Sequence, residues 1–316
     1  MRISFQAGTE YRPFRYAVAL MLSALVLAIQ TACATLPPVP VRIDAATFVR
    51  PDPRRPLTVQ TITRIEPLPQ TIHVARIDLH HPRLEIVAMP AEAPPGAGDG
   101  DAVLTPPHAI ASRHAALVAV NANGFGHVAA PDGATPSRFL PGQPVHVIGT
   151  LVSNGRVIGE AADHRGNDLV FWIDTSGNPG IGPHPGTDTP LREAINGWWI
   201  DLVADGRVLP RPNGDRHPRT ALGLCADNRW LTLVVVDGRR ERVSAGMTAH
   251  ELALLMRELD CHVAINLDGG GSSIMLAWDT ETETLRTVNR PSGVLARPLP
   301  VMLGVRWREP DRDISP

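Results

Sequence analysis

The run Asn266-Leu267-Asp268-Gly269-Gly270-Gly271-Ser272-Ser273 constrains this chain more than any other stretch. It separates two apolar segments, His262 to Ile265 and Ile274 to Trp278, that read as buried strands. A carboxylate therefore sits where a strand ends, followed by three glycines. Glycine opens positive φ and lets a ligand approach the main chain. A plain hairpin with a solvated aspartate needs only one or two glycines. A nucleotide-type phosphate loop needs a glycine–lysine pair and a following helix, and both are missing. The run reads as a site for an anion or a sugar, with a fixed acid beside it.

The preceding segment places this run on a scaffold. Leu231 to Val236 is an apolar, β-branched run ending in Asp237-Gly238-Arg239. Thr248-Ala249-His250-Glu251 is a capping box, and Leu252, Leu255, Met256 and Leu259 follow at helical spacing. The order is strand, helix, strand. A right-handed crossover makes the two strands parallel, with Asp237 and Asp268 at their carboxyl ends, where open α/β sheets bind ligands. The expected fold class is α+β, a large mixed β-sheet domain with a strand–helix–strand unit carrying the site. For Asp237 an ordinary Asp-Gly turn is the competing reading.

Composition narrows the chemistry. The 30 basic residues are all arginine, which excludes a Schiff base or a lysine general base. Both tyrosines, Tyr11 and Tyr16, lie in the N-terminal segment, so acid–base work falls to Asp, Glu and His. A net charge of −2 gives no basic field for nucleic acid. Arg2, Arg12 and Arg15 followed by apolar Ala17 to Ile29 read as an export leader, too short to span a bilayer comfortably. Thr31-Ala32-Cys33-Ala34 resembles a lipoprotein box with Gln30 in place of its usual aliphatic residue. Cys33 is then the lipidation site, and cleavage near Ala32 or Ala34 is the alternative. The expected organisation is a leader over 1–33, a proline-rich tether over 34–69, one domain over 70–308 and a tail over 309–316. Cys225 and Cys261 read as buried free thiols.

Further along, Thr71 to Leu79 and Leu84 to Met89 read as a hairpin across His80-His81-Pro82-Arg83. Thr105 opens a short helix running to about Ala115, with Pro106 in its first turn. Leu117 to Val120 is a short buried strand ending in a second polar turn, Asn121-Ala122-Asn123-Gly124-Phe125-Gly126-His127. Asn154-Gly155 and Asp205-Gly206 mark hairpins, and residues 175–190 read as loop. Trp198 and Trp199 read as core packing, with a sugar platform as the alternative. Arg219 beside His217 suits bidentate capture of a phosphate.

His217-Pro218-Arg219-Thr220-Ala221, Val236-Asp237-Gly238-Arg239, Ser244-Ala245-Gly246-Met247-Thr248 and Asn266 to Ser273 occur in that order and at that spacing. This set resembles the phosphodiester glycosidase domain, over roughly residues 70–308 and most closely from 217 to 276. Ala122, Gly124-Phe125 and Leu299-Pro300-Val301-Met302 depart from the family pattern. The resemblance implies hydrolysis of a sugar joined through its anomeric oxygen to phosphate. Asp268 is then the catalytic base or nucleophile, with Asp237 as the second carboxylate, acid or positioning group. Arg219 holds the phosphodiester charge. Gly269, Gly270, Gly271 and Ser272 form a hydrogen-bonding nest for developing charge, and Asn121, His217, Thr220 and Asn266 line the pocket. The partners expected are a glycan or sugar phosphate, with membrane attachment through Cys33. No cofactor is required on this reading. Two further readings are a polysaccharide-binding envelope protein without turnover, and a phosphodiesterase whose Asp237 and Asp268 hold a divalent cation.

Overall fold

The computed structural model describes residues 52, 54–91, 100–129, 133, 135–158, 169–198 and 200–308. The expected leader with Cys33, the tether up to residue 51, Trp199 and the tail from 309 lie outside the described residues. The strands are numbered in chain order. A seven-stranded sheet runs β1 (Leu57–Arg64), β2 (Gln70–Asp78), β16 (Trp230–Val236), β15 (Arg219–Leu224), β17 (Val263–Asn266), β13 (Asp201–Ala204), β14 (Arg207–Val208). A five-stranded sheet runs β19 (Thr284–Thr287), β18 (Met275–Asp279), β5 (Ala116–Asn121), β20 (Val301–Trp307), β3 (Leu84–Pro90). A second five-stranded sheet runs β11 (Pro179–Pro183), β10 (Leu169–Asp174), β12 (Leu191–Asn196), β8 (Leu151–Ser153), β9 (Arg156–Val157). A small sheet joins β4 (Ala102–Val103), β7 (Pro144–Val147) and β6 (Phe125–His127). Two α-helices accompany them among the described residues, α1 (Pro107–Arg113) and α2 (Ala249–Glu258).

The expectation of an α+β fold with a large mixed sheet is therefore corrected: the chain is mostly β, in several antiparallel sheets. The strand–helix–strand unit exists as β16–α2–β17. Its two strands point the same way, but β15 lies between them and pairs antiparallel with both. They are co-directed without being neighbours. The misreading has a physical source. A strand–helix–strand order suggests neighbouring parallel strands, and every residue of β16 is buried, as in a strand covered on both faces. Here one face is covered by α2 and the other by a sheet. Val234 and Val236 of β16 join Leu252, Leu255 and Met256 of α2 in one cluster. Leu231, Leu233 and Val235 join Val118, Val120, Leu276 and Leu303 of the five-stranded sheet in another. The period-2 alternation of a strand sends neighbouring residues into different cores.

Local signals hold where they depend on neighbours in sequence. Thr248 and Glu251 form the capping box of α2. Asn154 and Gly155 both take positive φ (50° and 73°) between β8 and β9, as do Asp205 and Gly206 (49° and 72°) between β13 and β14. Signals that need a partner elsewhere do less well. The expected β2–β3 hairpin is absent: β2 is held on both sides by β1 and β16, so β3 pairs along its length with β20. β12 and β13, close in sequence, fall in two different sheets, parted at Gly197, whose N–H donates to Leu169 O at 2.6 Å. The stretch 57–64, inside the expected tether, is β1 and closes the edge of the large sheet. Cys225 and Cys261 are buried free thiols, and burial pushes Cys261 up to about 12.

Candidate active site

The glycine run joins two sheets. β17 belongs to the seven-stranded sheet and β18 to the five-stranded one, so residues 267–274 carry the chain from one sheet to the other. The register brings the motifs together. Arg219 pairs with Val236, which puts the head of β15 beside the Asp237 turn, and Ala221 pairs with Asn266, just before Asp268. From the other sheet, Asn121 ends β5 opposite Met302 of β20.

Asn121 joins the two sheets. Its Nδ2 donates to Asp268 O at 2.5 Å. Its Oδ1 accepts from Thr220 Oγ1 at 2.7 Å and from Ile274 N at 3.1 Å. Asn121, Thr220 and Asn266 are at most 1% exposed, so they set the position of the turn rather than line an open pocket.

The turn itself shows why three glycines occur together. A Cβ on Gly269 would lie 3.0 Å from Pro218 O. On Gly270, at φ +62°, it would lie 2.9 Å from Arg239 Nη2. On Gly271 it would lie 2.4 Å from Arg297 Nη2. Two guanidinium groups thus press on the backbone of the run. The expected backbone nest is largely spent on the fold. Gly269 N donates to Asp268 Oδ1 at 2.8 Å, Gly270 N to Pro218 O at 2.9 Å, Ser272 N to Gly269 O at 3.2 Å and Ser273 N to Gly270 O at 3.4 Å. Arg239 and Arg297 are the cationic groups that lie against the run.

Asp268 is half-buried. Burial pushes its carboxyl above the usual range, opposed by the Ser272 hydroxyl, the Arg297 charge and the Gly269 N–H. Arg297 donates from Nη1 to Ser272 Oγ at 3.3 Å and lies over the Phe139 ring at 5.0 Å. Phe139 is backed by the His127 ring, stacked at 4.1 Å. Burial lowers the Arg297 pKa, as does Arg239, while Asp268 raises it.

Asp237 differs in kind. It is 7% exposed, and both oxygens are taken by protein groups. Oδ1 accepts from Arg290 N at 2.9 Å and from Asn289 Nδ2 at 3.2 Å, and Oδ2 lies 3.4 Å from His73 Nε2. Ser244 Oγ donates to its main-chain oxygen at 2.6 Å. Its lone pairs fasten residues 289–290 and β2 to the end of β16. Arg219 is also partly committed: Nε donates to Met247 O at 3.0 Å and Nη2 to Asp215 O at 3.1 Å, with burial lowering its pKa. The His217 ring is held below its ordinary value by burial and then by Arg219 and Arg239. Trp198 packs against Gly124, where a Cβ would fall 1.7 Å from its ring.

Arg239, Arg297 and Phe139 are the site residues that sequence reasoning left unassigned. Arg239 stood in a quoted motif. For Arg297 the signal was the third consecutive glycine, which allows a close approach to the backbone.

A family model described as phosphodiester glycosidase matches residues 114–306. Among solved structures, the chain is similar to the zebrafish N-acetylglucosamine-1-phosphodiester alpha-N-acetylglucosaminidase catalytic domain, auto-inhibited by its pro-peptide. The TM-score is 0.55 at 19% identity, covering 80% of this chain and 82% of that one. A putative exported protein from Burkholderia pseudomallei K96243 gives 0.52 at 17% identity, covering 76% and 74%. These likenesses concern the fold. The SPbeta prophage-derived uncharacterized protein YomE of Bacillus subtilis (strain 168) is 37% identical over 86 residues, 27% of this chain and 11% of that protein.

Proposed function

This chain belongs to the phosphodiester glycosidase family, and from that premise we propose that it hydrolyses a sugar-1-phosphodiester, with Asp268 as its central group. The observation that carries the reading is the half-buried Asp268 carboxylate in the same turn that Arg239 and Arg297 press upon. Asp268 deprotonates a water that attacks the anomeric carbon, or attacks it directly to give a glycosyl ester that water then hydrolyses. The departing phosphate monoester, with a second pKa of about 6, leaves as an anion near neutral pH. Such a leaving group needs positive charge more than a proton, which Arg239 and Arg297 provide. One catalytic carboxylate then suffices, and Asp237 is free to serve as the lock its hydrogen bonds describe. The same hydrogen bonds argue against Asp237 and Asp268 sharing a divalent cation, since both Asp237 oxygens already face protein groups.

The proposed setting is the periplasm or outer envelope, with attachment through lipidated Cys33 and envelope or extracellular polysaccharide as substrate. Its support is the basic and apolar pattern of residues 2–34. Loss of detergent-phase partitioning in Cys33→Ala would support the anchor, and unchanged partitioning would remove it.

The test of function is incubation with a panel of sugar-1-phosphodiesters, following free sugar and phosphomonoester, with and without chelator. Release that persists in chelator and disappears in Asp268→Asn supports the proposal. Release lost in chelator would favour a metal enzyme. Binding of glycans without any release across the panel would favour a polysaccharide-binding protein.

A further inference from the structure

At the end of β17, the strand that leads to Asp268, lies a group of polar atoms that the fold and the proposed chemistry leave unused. Asn123, Asn196 and Asn266 are 2%, 3% and 1% exposed. In each the amide nitrogen has a carbonyl partner. Asn123 Nδ2 donates to Ile148 O at 3.1 Å and Thr150 O at 2.9 Å. Asn196 Nδ2 donates to Gly197 O at 2.7 Å, and Asn266 Nδ2 to Leu267 O at 2.7 Å. A carbonyl neighbour repels an amide oxygen, so these contacts fix which end of each amide is which. The remaining ends, all three Oδ1 atoms, are buried and accept no hydrogen bond from the described residues. Buried polar atoms of this kind call for a partner.

The three amides belong to one hub. The Asn123 side chain bonds the carbonyls on either side of Gly149. The Asn196 side chain lies against the same glycine, where a Cβ would fall 2.2 Å from Asn196 Cγ and 2.6 Å from its Oδ1. The next residue, Gly197, lies against Asn266, whose main-chain oxygen would be 3.2 Å from its Cβ. Trp198 N donates to that same oxygen at 2.7 Å, and its ring packs on Gly124, beside Asn123. Segments 123–124, 148–150, 196–198 and 266–268 therefore close around one another.

We propose that this hub binds a monovalent cation, Na⁺ or K⁺, through the Oδ1 atoms of Asn123, Asn196 and Asn266. The donor chemistry sets the charge. Amide oxygens are neutral, and the Ile148 and Thr150 carbonyls each keep a second lone pair to add to the set. Rings of neutral carbonyl oxygens replace the hydration shell of monovalent ions, whereas calcium sites draw on carboxylates. Among the described residues no group of three or more His, Cys, Asp or Glu gathers here or elsewhere. An ion at this point braces the strand end that delivers Asp268. The inference concerns the frame of the turn and stands whether or not the hydrolase reading does.

The experiment uses the intact protein in choline, sodium and potassium chloride at equal ionic strength. Thermal unfolding should shift upward by about 2 to 4 °C in the preferred alkali ion relative to choline, saturably, as ligand binding to the native state requires. Asn196→Leu should unfold at the same temperature in all three salts. Because that variant removes a buried contact, ²³Na resonance broadening by wild-type protein, reversed by excess potassium, gives an independent reading. Equal unfolding temperatures in the three salts, with no broadening, would overturn the proposal and leave the oxygens to buried water.

Discussion

Two aspartates end two co-directed strands of the same sheet, each followed by glycine, and their surroundings differ. Asp237 is surrounded by donors: Arg290 N–H, Asn289 Nδ2 and His73 Nε2. Asp268 holds one neighbouring N–H and a serine hydroxyl, and burial raises its pKa. A carboxylate whose lone pairs are all spent fixes structure. One left partly unsatisfied and half-buried is the candidate for acid–base work. The contrast shows that an Asp-Gly strand end is not itself a catalytic signal. What faces the carboxylate decides its role.

The comparison breaks or holds on substitutions. Asp268→Asn should lower turnover on a responsive substrate by roughly 10³-fold or more, about 4 kcal/mol of barrier, with little change in thermal midpoint. Asp237→Ala should do the reverse, costing about 3 kcal/mol of stability by leaving several buried donors unpaired, measured by urea unfolding. If Asp237→Ala folds normally but abolishes turnover, the two roles as assigned are wrong. Glu193 offers a control outside both turns. Burial raises it from 4.5 to about 7, although it accepts N–H bonds from Ala88 and Asn154. A raised carboxyl favours the neutral form, so its penalty is absent below about 4.5, grows as pH rises to about 7 and then levels. At 1.36 kcal/mol per pKa unit that is up to about 3 kcal/mol, and Glu193→Gln should flatten the fall in stability over that window. Gly271→Ala should displace Arg297 and cost about 1–3 kcal/mol of stability, with kcat/KM falling too. Smallest is a shift in a pH profile. The acid limb of kcat/KM should lie above the ordinary aspartate range, and Arg297→Gln should move it higher still by removing a charge that lowers the Asp268 pKa. A limb that stays put would separate Arg297 from Asp268.

How much of this was legible in the sequence depends on the range of the interaction. The capping box of α2, the two hairpin turns with paired positive φ and the strand ends at Asn121, Asp237 and Asp268 are local, and sequence states them directly. The allocation of strands to sheets is not local. β2 and β3 are adjacent in sequence and part company because β16 already occupies the edge that β3 would need. The fold class failed for the same reason: a strand–helix–strand order gives the common direction of β16 and β17 but not the antiparallel β15 that lies between them. In the site, the family resemblance located the turn. Phe139 and Arg297, 158 residues apart in the chain, meet only through tertiary packing, and no spacing rule could announce them.

The crossover of residues 267–274 has a mechanical meaning. The candidate active turn is also a seam, the place where two sheets are sewn together through Asn121, Thr220 and Ile274. A molecule seated there acts as a rivet. Its grip should be felt as slower amide exchange along β5 and β15, beyond the residues it touches, because prising the ligand loose and parting the sheets are one motion.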